Sequence, residues 1–441
     1  MLRFWTSLAL MCATPLLYGA SSYADSAAYA DSAAGSVDEV IQWNKALLTI
    51  VRTPGAQPAT VHSTRSFAIM HAAVYDAVNS IDATHKPYLV RIEHVSPHAS
   101  QEAAAAAAAH ETLITLYPTF QAALDQQFDQ SLAQIPDGVD KAAGIDVGKA
   151  VAQAILTLRS DDGSAATPVP FVFGNAPGDY QSTPPNFPAQ PVFTHWSRVT
   201  PFALERAKQF RLGPPPALTS ADYTAAFNEV KSLGIANSTA ATADQALIGR
   251  FWNGAIQNYW NEITQTAVQA HHLTTAQSAR VFALLNLTLA DEVIAFYDTK
   301  YTYNLWRPVT AIRAADTDGN PDTAADPTWL PQAGKTAADP SYPGAHATIS
   351  AGAAFVLRSV FGNKPFHLNV TSEVLPGVIR SFDSFAGAKN EASLSRIYAG
   401  QHFRSDENAG EKLGSAVADF VVDNFLTRVN RDGEADEGRA D

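Results

Sequence analysis

Cysteine is all but missing from this chain, with one residue, Cys12, in 441. It falls inside the N-terminal signal read below. The mature protein is therefore expected to hold no disulfide, no thiolate metal site and no cysteine nucleophile. Basic residues are also scarce. Thirty lysines and arginines against 43 aspartates and glutamates leave a net charge of −13, which argues against nucleic acid as a partner, because phosphate backbones are bound by basic surfaces. Any anion site must then be built locally from a few cations. Long apolar runs are lacking as well. The run from Leu8 to Leu17 is too short to span a bilayer, and no later stretch reaches the roughly 20 apolar residues a spanning helix needs, so no membrane-spanning segment is expected once the signal is removed. There is no phosphate-cradling Gly-x-x-x-x-Gly-Lys and no dinucleotide fingerprint.

The ends of the chain read as processing and lead-in sequence. Residues 1–24 carry Arg3, the short apolar run and a small-residue site, Ser22-Tyr23-Ala24, the pattern of a secretory signal. Export implies a secreted or periplasmic protein. Residues 25–36 continue a low-complexity repeat of Tyr-Ala-Asp-Ser-Ala-Ala, expected to be flexible. The acidic tail, 429–441, is expected to be disordered.

Between these ends, apolar residues recur at steps of three and four. The periodicity predicts helices over 37–51, 65–80, 101–117, 120–135 and 138–158, then over 220–233, 242–270, 275–303, 347–361 and 408–425. Strand-like runs are few and short, so the fold is expected to be all-α, a large helical bundle of two packed sub-bundles. The irregular span 164–218, rich in proline, glycine and aromatics, is taken as their boundary. The N-terminal sub-bundle is placed at 37–200 and the C-terminal catalytic region at 201–428.

Three segments of the last third concentrate the chemistry. In Lys300-Tyr-Thr-Tyr-Asn-Leu-Trp-Arg307-Pro308 two cations stand seven residues apart, close to two helical turns, and the proline predicts a helix end near Arg307. A solvated basic face is the competing reading of this segment by itself. In Tyr342-Pro343-Gly344-Ala345-His346 a turn opens onto an apolar helix whose first N–H groups suit an anion. His346 there is either an acid–base group or a cap of its own helix. In Ser395-Arg396-Ile-Tyr-Ala-Gly400-Gln-His402 the glycine predicts a bend that brings Arg396 and His402 together. Asp406, four residues further, is placed to orient the imidazole; an ordinary surface ion pair is the alternative. Three cations, two histidines and a carboxylate suit a tetrahedral anion with charge spread over several oxygens.

These segments resemble the triplet signature of the vanadium-dependent haloperoxidase and type 2 phosphatidic acid phosphatase superfamily: Lys-x6-Arg-Pro, then Pro-Ser-Gly-His, then Ser-Arg-x5-His. The first and third match throughout. The context Asp298-Thr-Lys-Tyr-Thr-Tyr-Asn-Leu-Trp-Arg-Pro and the stretch His71-Ala-Ala-Val-Tyr-Asp-Ala-Val-Asn79 are similar to the soluble bacterial haloperoxidase-like branch. The resemblance implies a vanadate cofactor bound through His402 and His346 as the acid–base group. Lys300, Arg307 and Arg396 would neutralise oxyanion oxygens, Lys300 also polarising a bound peroxide, and Asp406 would orient His402. It implies hydrogen peroxide, halide and a small organic molecule as substrates. The alternative within the superfamily is a secreted acid phosphatase that needs no cofactor and attacks a phosphoester through His402. A homodimer is open to either. The middle motif departs from the pattern: Gly344 stands for the family's serine and Ala345 for its glycine. Gly344 can offer only its N–H to an oxyanion, which makes a catalytically weak oxyanion-binding protein the third reading.

Other clusters are weaker. Asp316 to Asp322 resembles a calcium loop only superficially, since its glycine comes too early and no closing glutamate follows. His71 reads as a core histidine, His271-His272 as an exposed helix end, and His110-Glu111 lacks a zinc site's second histidine. Trp196 and the aromatics of 164–202 read equally as pocket lining or as core.

Overall fold

A computed structural model describes residues 38–429. The expected signal and lead-in, and the tail beyond 429, lie outside the described residues. Five helices come first: α1 (Glu39–Arg52), α2 (Ser63–Asp82), α3 (Gln101–Leu116), α4 (Gln121–Ala133) and α5 (Val139–Leu158). After the long span follow α6 (Ala221–Leu233), α7 (Ala243–Phe251), α8 (Ile256–Ala270), α9 (Thr275–Tyr303), α10 (Pro308–Arg313) and α11 (Ala345–Phe361). A short antiparallel hairpin, β1 (Leu368–Thr371) and β2 (Ile379–Phe382), precedes α12 (Phe385–Tyr398) and α13 (Arg404–Asn424). The fold is thus all-α apart from that hairpin. No helix among the described residues is long and apolar enough to cross a membrane.

The spine is α9. Thr274 and Gln277 close a capping box at its start, worth about 1 kcal/mol for the cap. From Val281 to Phe296 it is apolar on nearly every side, the pattern of a helix surrounded by others, and it is buried throughout. It packs on α2, α11 and α13, while α3 packs on α2 and α5. Seven alanines, Ala103 to Ala109, let α5 come close: a Cβ at Gly148 would stand 2.4 Å from the carbonyl oxygen of Ala104.

The span 164–218, expected to separate an N-terminal from a C-terminal sub-bundle, is instead laid along the motif-bearing segments. The N–H of Tyr180 donates to Asn304 O at 2.7 Å, that of Trp306 to Gly178 O at 2.8 Å and that of Val192 to Ala338 O at 2.8 Å. Helices on both sides of the span share one hydrophobic core. Two buried aspartates on the helices tether loops to them. Asp76 accepts from the N–H groups of Tyr88, Leu89 and Val90, and Asp291 from those of Phe202, Ala203 and Leu204. Burial pushes both carboxyls up to about 6 against the pull of these N–H groups.

Three expected helix boundaries differ. The run 242–270 breaks at Trp252–Ala255, where Asn253-Gly254 is a turn dipeptide. Arg307 does not share a helix with Lys300: Asn304 takes left-handed backbone and ends α9 at Tyr303, and Arg307 precedes the proline that opens α10. Helix α12, which carries Arg396, lies outside the expected helices; polar residues, Ser393, Ser395 and Arg396, stand among its buried positions. The residues Asp318 to Thr323 form a polar turn in which Asp318 accepts from Asn320 N and Thr323 Oγ1, and Asn320 in turn holds Leu218 O and Thr224.

His71 is fully buried, stacked on Phe282 with ring centroids 4.9 Å apart, its Nε2 2.9 Å from Asn44 Oδ1. Burial lowers its pKa to about 3. Unfolded, the ring takes a proton below about 6.5; folded, only below about 3. Acid therefore draws the chain toward the unfolded state as pH falls from 6.5, by about 2 kcal/mol at pH 5 for this one group. The carboxyls of Asp76 and Asp291 act in the opposite sense between about 6 and 4, so the test is comparative. The loss in urea midpoint from pH 7 to pH 5 should be smaller in His71→Gln than in the parent; equal losses would contradict the assignment.

Candidate active site

Four loop or helix-end segments deliver the site: the end of α9 with the turn before α10, the Asp339–His346 turn into α11, the break between α7 and α8, and the α12–α13 junction. Gly400, at φ +72, makes that last junction, and a Cβ there would meet Gly234 O at 2.4 Å. The bend turns His402 back against Arg396. The electrostatic neighbours of His402 are Arg307, Lys300, Arg396 and His346, so the residues of all three motifs converge.

Lys300 is fully buried. Its Nζ donates to Pro340 O at 2.6 Å and Ser341 O at 3.2 Å and stands 3.6 Å from Asp339 Oδ2. Burial lowers its pKa to about 8, opposed by Asp339. Arg307 is 1% exposed. It donates from Nε to Asp339 O, from Nη2 to Asp339 Oδ1 and from Nη1 to Gln401 O. Nη1 also lies 3.0 Å from His402 Nε2. A guanidinium only donates, so His402 Nε2 must be the bare nitrogen and Nδ1 must carry the hydrogen. That hydrogen points to Asp406 Oδ2 at 3.2 Å. Asp406 is held in turn by Ser341 Oγ at 2.6 Å and by the N–H of Phe403 at 3.1 Å, and burial pushes it up to about 6. Burial and then Arg307 hold the His402 pKa well below the usual histidine range.

Arg396 closes the other side. Its Nη1 donates to Asn253 Oδ1 at 3.0 Å, its Nε is buried without a partner, and burial lowers it to about 10. His346 sits in the first turn of α11 and donates from Nε2 to Trp252 O at 3.0 Å. Burial and then Arg396 depress its pKa strongly. Lys300, Arg307, Arg396 and His402 are all buried, whereas Ala345 and His346 are partly exposed. Gly344 differs from expectation: its N–H is already spent on Asp406 O at 2.8 Å. Ala345 opens α11 in ordinary right-handed backbone, so no glycine is required there.

Four participants carry no motif in the sequence. Asp339 binds both Arg307 and Lys300, Ser341 holds Asp406, Asn253 holds Arg396, and Glu407 lies beside Arg396 and His402. The Asn-Gly dipeptide signals the turn that carries Asn253; nothing local marks the other three. Of the aromatics of 164–202, Trp196 lies in the main hydrophobic core with Phe193 packed against it. Trp196 and Phe193 pack with His62 and Tyr297, and Asp339 is an electrostatic neighbour of both His62 and Tyr297.

Chemically, Lys300, Arg307 and Arg396, the last with an unpartnered Nε, surround the hydrogen-free Nε2 of His402, whose lone pair accepts from Arg307 Nη1 and would exchange that bond for a ligand. A family model described as the VCPO second helical-bundle domain matches residues 280–431. The vanadium chloroperoxidase of Curvularia inaequalis is 25% identical, over 80% of this chain and 75% of its own. The crystal structure of a bacterial vanadium-dependent iodoperoxidase superposes with a TM-score of 0.73 at 26% identity, covering 88% of this chain and 95% of that one. A holo-type bacterial vanadium-dependent chloroperoxidase shares the fold, with a TM-score of 0.63 at 15% identity, 88% of this chain and 95% of that one.

Proposed function

We propose that the chain is a vanadium-dependent haloperoxidase, oxidising halide with hydrogen peroxide, a reading supported by the family model over 280–431, the chloroperoxidase relative and the iodoperoxidase fold. The observation that carries this reading is the bare Nε2 of His402, fixed by Asp406 on the opposite ring nitrogen and surrounded by Lys300, Arg307 and Arg396. A neutral imidazole with its second nitrogen bonded to a carboxylate is the form that ligates a metal.

The residues fit vanadate. His402 Nε2 would take the metal, and the three cations and the first-turn N–H groups of α11 would take its oxygens. Arg396 Nε, buried without a partner, gains an acceptor. Bound there, vanadate supplies the oxidising chemistry by activating peroxide for transfer of oxygen to halide. The contribution of the protein itself is electrostatic and protonic. Lys300, Arg307 and Arg396 hold negative charge in a dry site, where fixed donors are worth more than in water. His346, the more exposed of the two histidines, would move a proton to or from a bound oxyanion.

The test is bromide oxidation by hydrogen peroxide on metal-stripped protein with and without orthovanadate. Activity that appears only with vanadate, and that phosphate competes away, is the expected result. No oxidation in either condition, with phosphoester hydrolysis by the stripped protein, would overturn the peroxidase reading in favour of a phosphatase.

A further inference from the structure

The middle motif is where this chain departs from its family pattern, and the departure is not a plain deletion. A Cβ at Gly344 would stand 2.2 Å from Glu407 Oε1 and 2.7 Å from its Cδ. A serine at 344 would collide with this carboxyl group unless the glutamate side chain moved. Glu407 is in the first turn of α13, 1% exposed. Its Oε1 has no hydrogen-bond partner, and its Oε2 has only a long contact, 3.4 Å, from Ser393 Oγ. It lies 3.8 Å from His402 Nδ1, and among the charges around it Arg396 attracts most strongly, with Asp406 opposing.

An acidic residue in the first turn of a helix is favoured by the helix dipole, but a solvated position would satisfy that. Burying a carboxyl oxygen with no partner is costly. The unmet oxygen lies beside Gly344, whose N–H is spent, and Arg396, with its unmet Nε, is the charge that attracts it most. We propose that Glu407 takes over the role of the family's serine, its carboxyl group being the side chain that meets the bound oxyanion on the Gly344 side, in a pair with Arg396. This rests on the reading of the pocket as an oxyanion site. Two oxygens that face one another need one proton between them, and either the acid or a vanadate or phosphate hydroxyl can bring it. Glutamine carries an equivalent hydrogen permanently. Gly344 and Glu407 are then a matched pair: the side chain lost at one position is replaced, in space and in polarity, from the other.

The test is binding of orthovanadate and of inorganic phosphate to the stripped protein, measured by equilibrium dialysis, with unfolding midpoints to verify each variant. Glu407→Ala should bind about tenfold more weakly, the scale of one buried hydrogen bond. Glu407→Gln should stay within about threefold of the parent. Gly344→Ser should weaken binding, since its Cβ displaces the carboxyl, and Gly344→Ser combined with Glu407→Ala should restore it to within about threefold by rebuilding the family arrangement. Glu407→Met, similar in length and without a charged head, replaces Glu407→Ala if that variant does not fold. Parental affinity in Glu407→Ala, or a double variant no tighter than Glu407→Ala, would overturn the proposal. A parent chain that binds neither anion would instead overturn the oxyanion reading itself.

Discussion

His402→Ala is expected to leave a folded protein that no longer retains vanadate, with dialysis affinity down by at least about 100-fold, the upper end of what losing even a ligand's supporting partner costs. The argument is one of irreplaceability. His402 Nε2 is a hydrogen-free imidazole nitrogen among the three cations, kept so by Arg307 on one side and Asp406 on the other. His346 is held differently: its Nε2–H is on Trp252 O, and it lacks the ion pair with a carboxylate that Asp406 gives His402. The three cations remain in the variant, so phosphate, which needs only charge and hydrogen bonds, should fall less than vanadate. Retention of vanadate at parental affinity would remove His402 as the ligand.

Asp339→Asn is expected to destabilise the stripped protein by about 3 kcal/mol, since deleting one member of a buried ion pair leaves its partners uncompensated. Here two partners are stranded. Arg307 and Lys300 both lean on this carboxylate, and they are 1% and 0% exposed. The same carboxylate competes with any incoming anion for those cations. The variant should therefore bind phosphate and vanadate more tightly than the parent, and saturating anion should return its lost stability, a ligand at 100 times its Kd contributing about 2.7 kcal/mol. Unfolding midpoints with and without phosphate report both effects. A variant as stable as the parent, or one that gains no more from phosphate than the parent does, would show that Asp339 is not what balances the pocket's charge.

Much of this architecture is legible in the sequence because its signals are local. Helices α1, α2, α3, α5, α6, α9 and α11 follow from apolar steps bounded by caps and prolines, and the bend at Gly400 follows from a glycine between two site residues. Lys300, Arg307, His346, Arg396 and His402 are legible as motif members. Their convergence is legible only through the resemblance to the triplet signature, since it depends on three separate segments meeting. Asp339 and Glu407 escape for a related reason. An aspartate before a proline looks like a turn, and a glutamate in a helix's first turn looks like a solvated dipole partner. Only packing shows that both are buried among cations. The wrap of 164–218 escapes because backbone pairing such as Tyr180 with Asn304 leaves no mark on side-chain periodicity.

The close approach of Gly344 to Glu407 also bears on how the sequence can drift. A single codon change could return Gly344 to serine, yet with Glu407 in place the new side chain has nowhere to go unless the carboxyl group swings out. Losing Glu407 first leaves the pocket with neither polar contact. With Glu407 serving the oxyanion as proposed, each one-step route passes through a poorer site, which couples the two positions. Substitutions at 344 across a lineage should be read only alongside 407, and a glycine there marks a different solution to the same pocket rather than a decayed one.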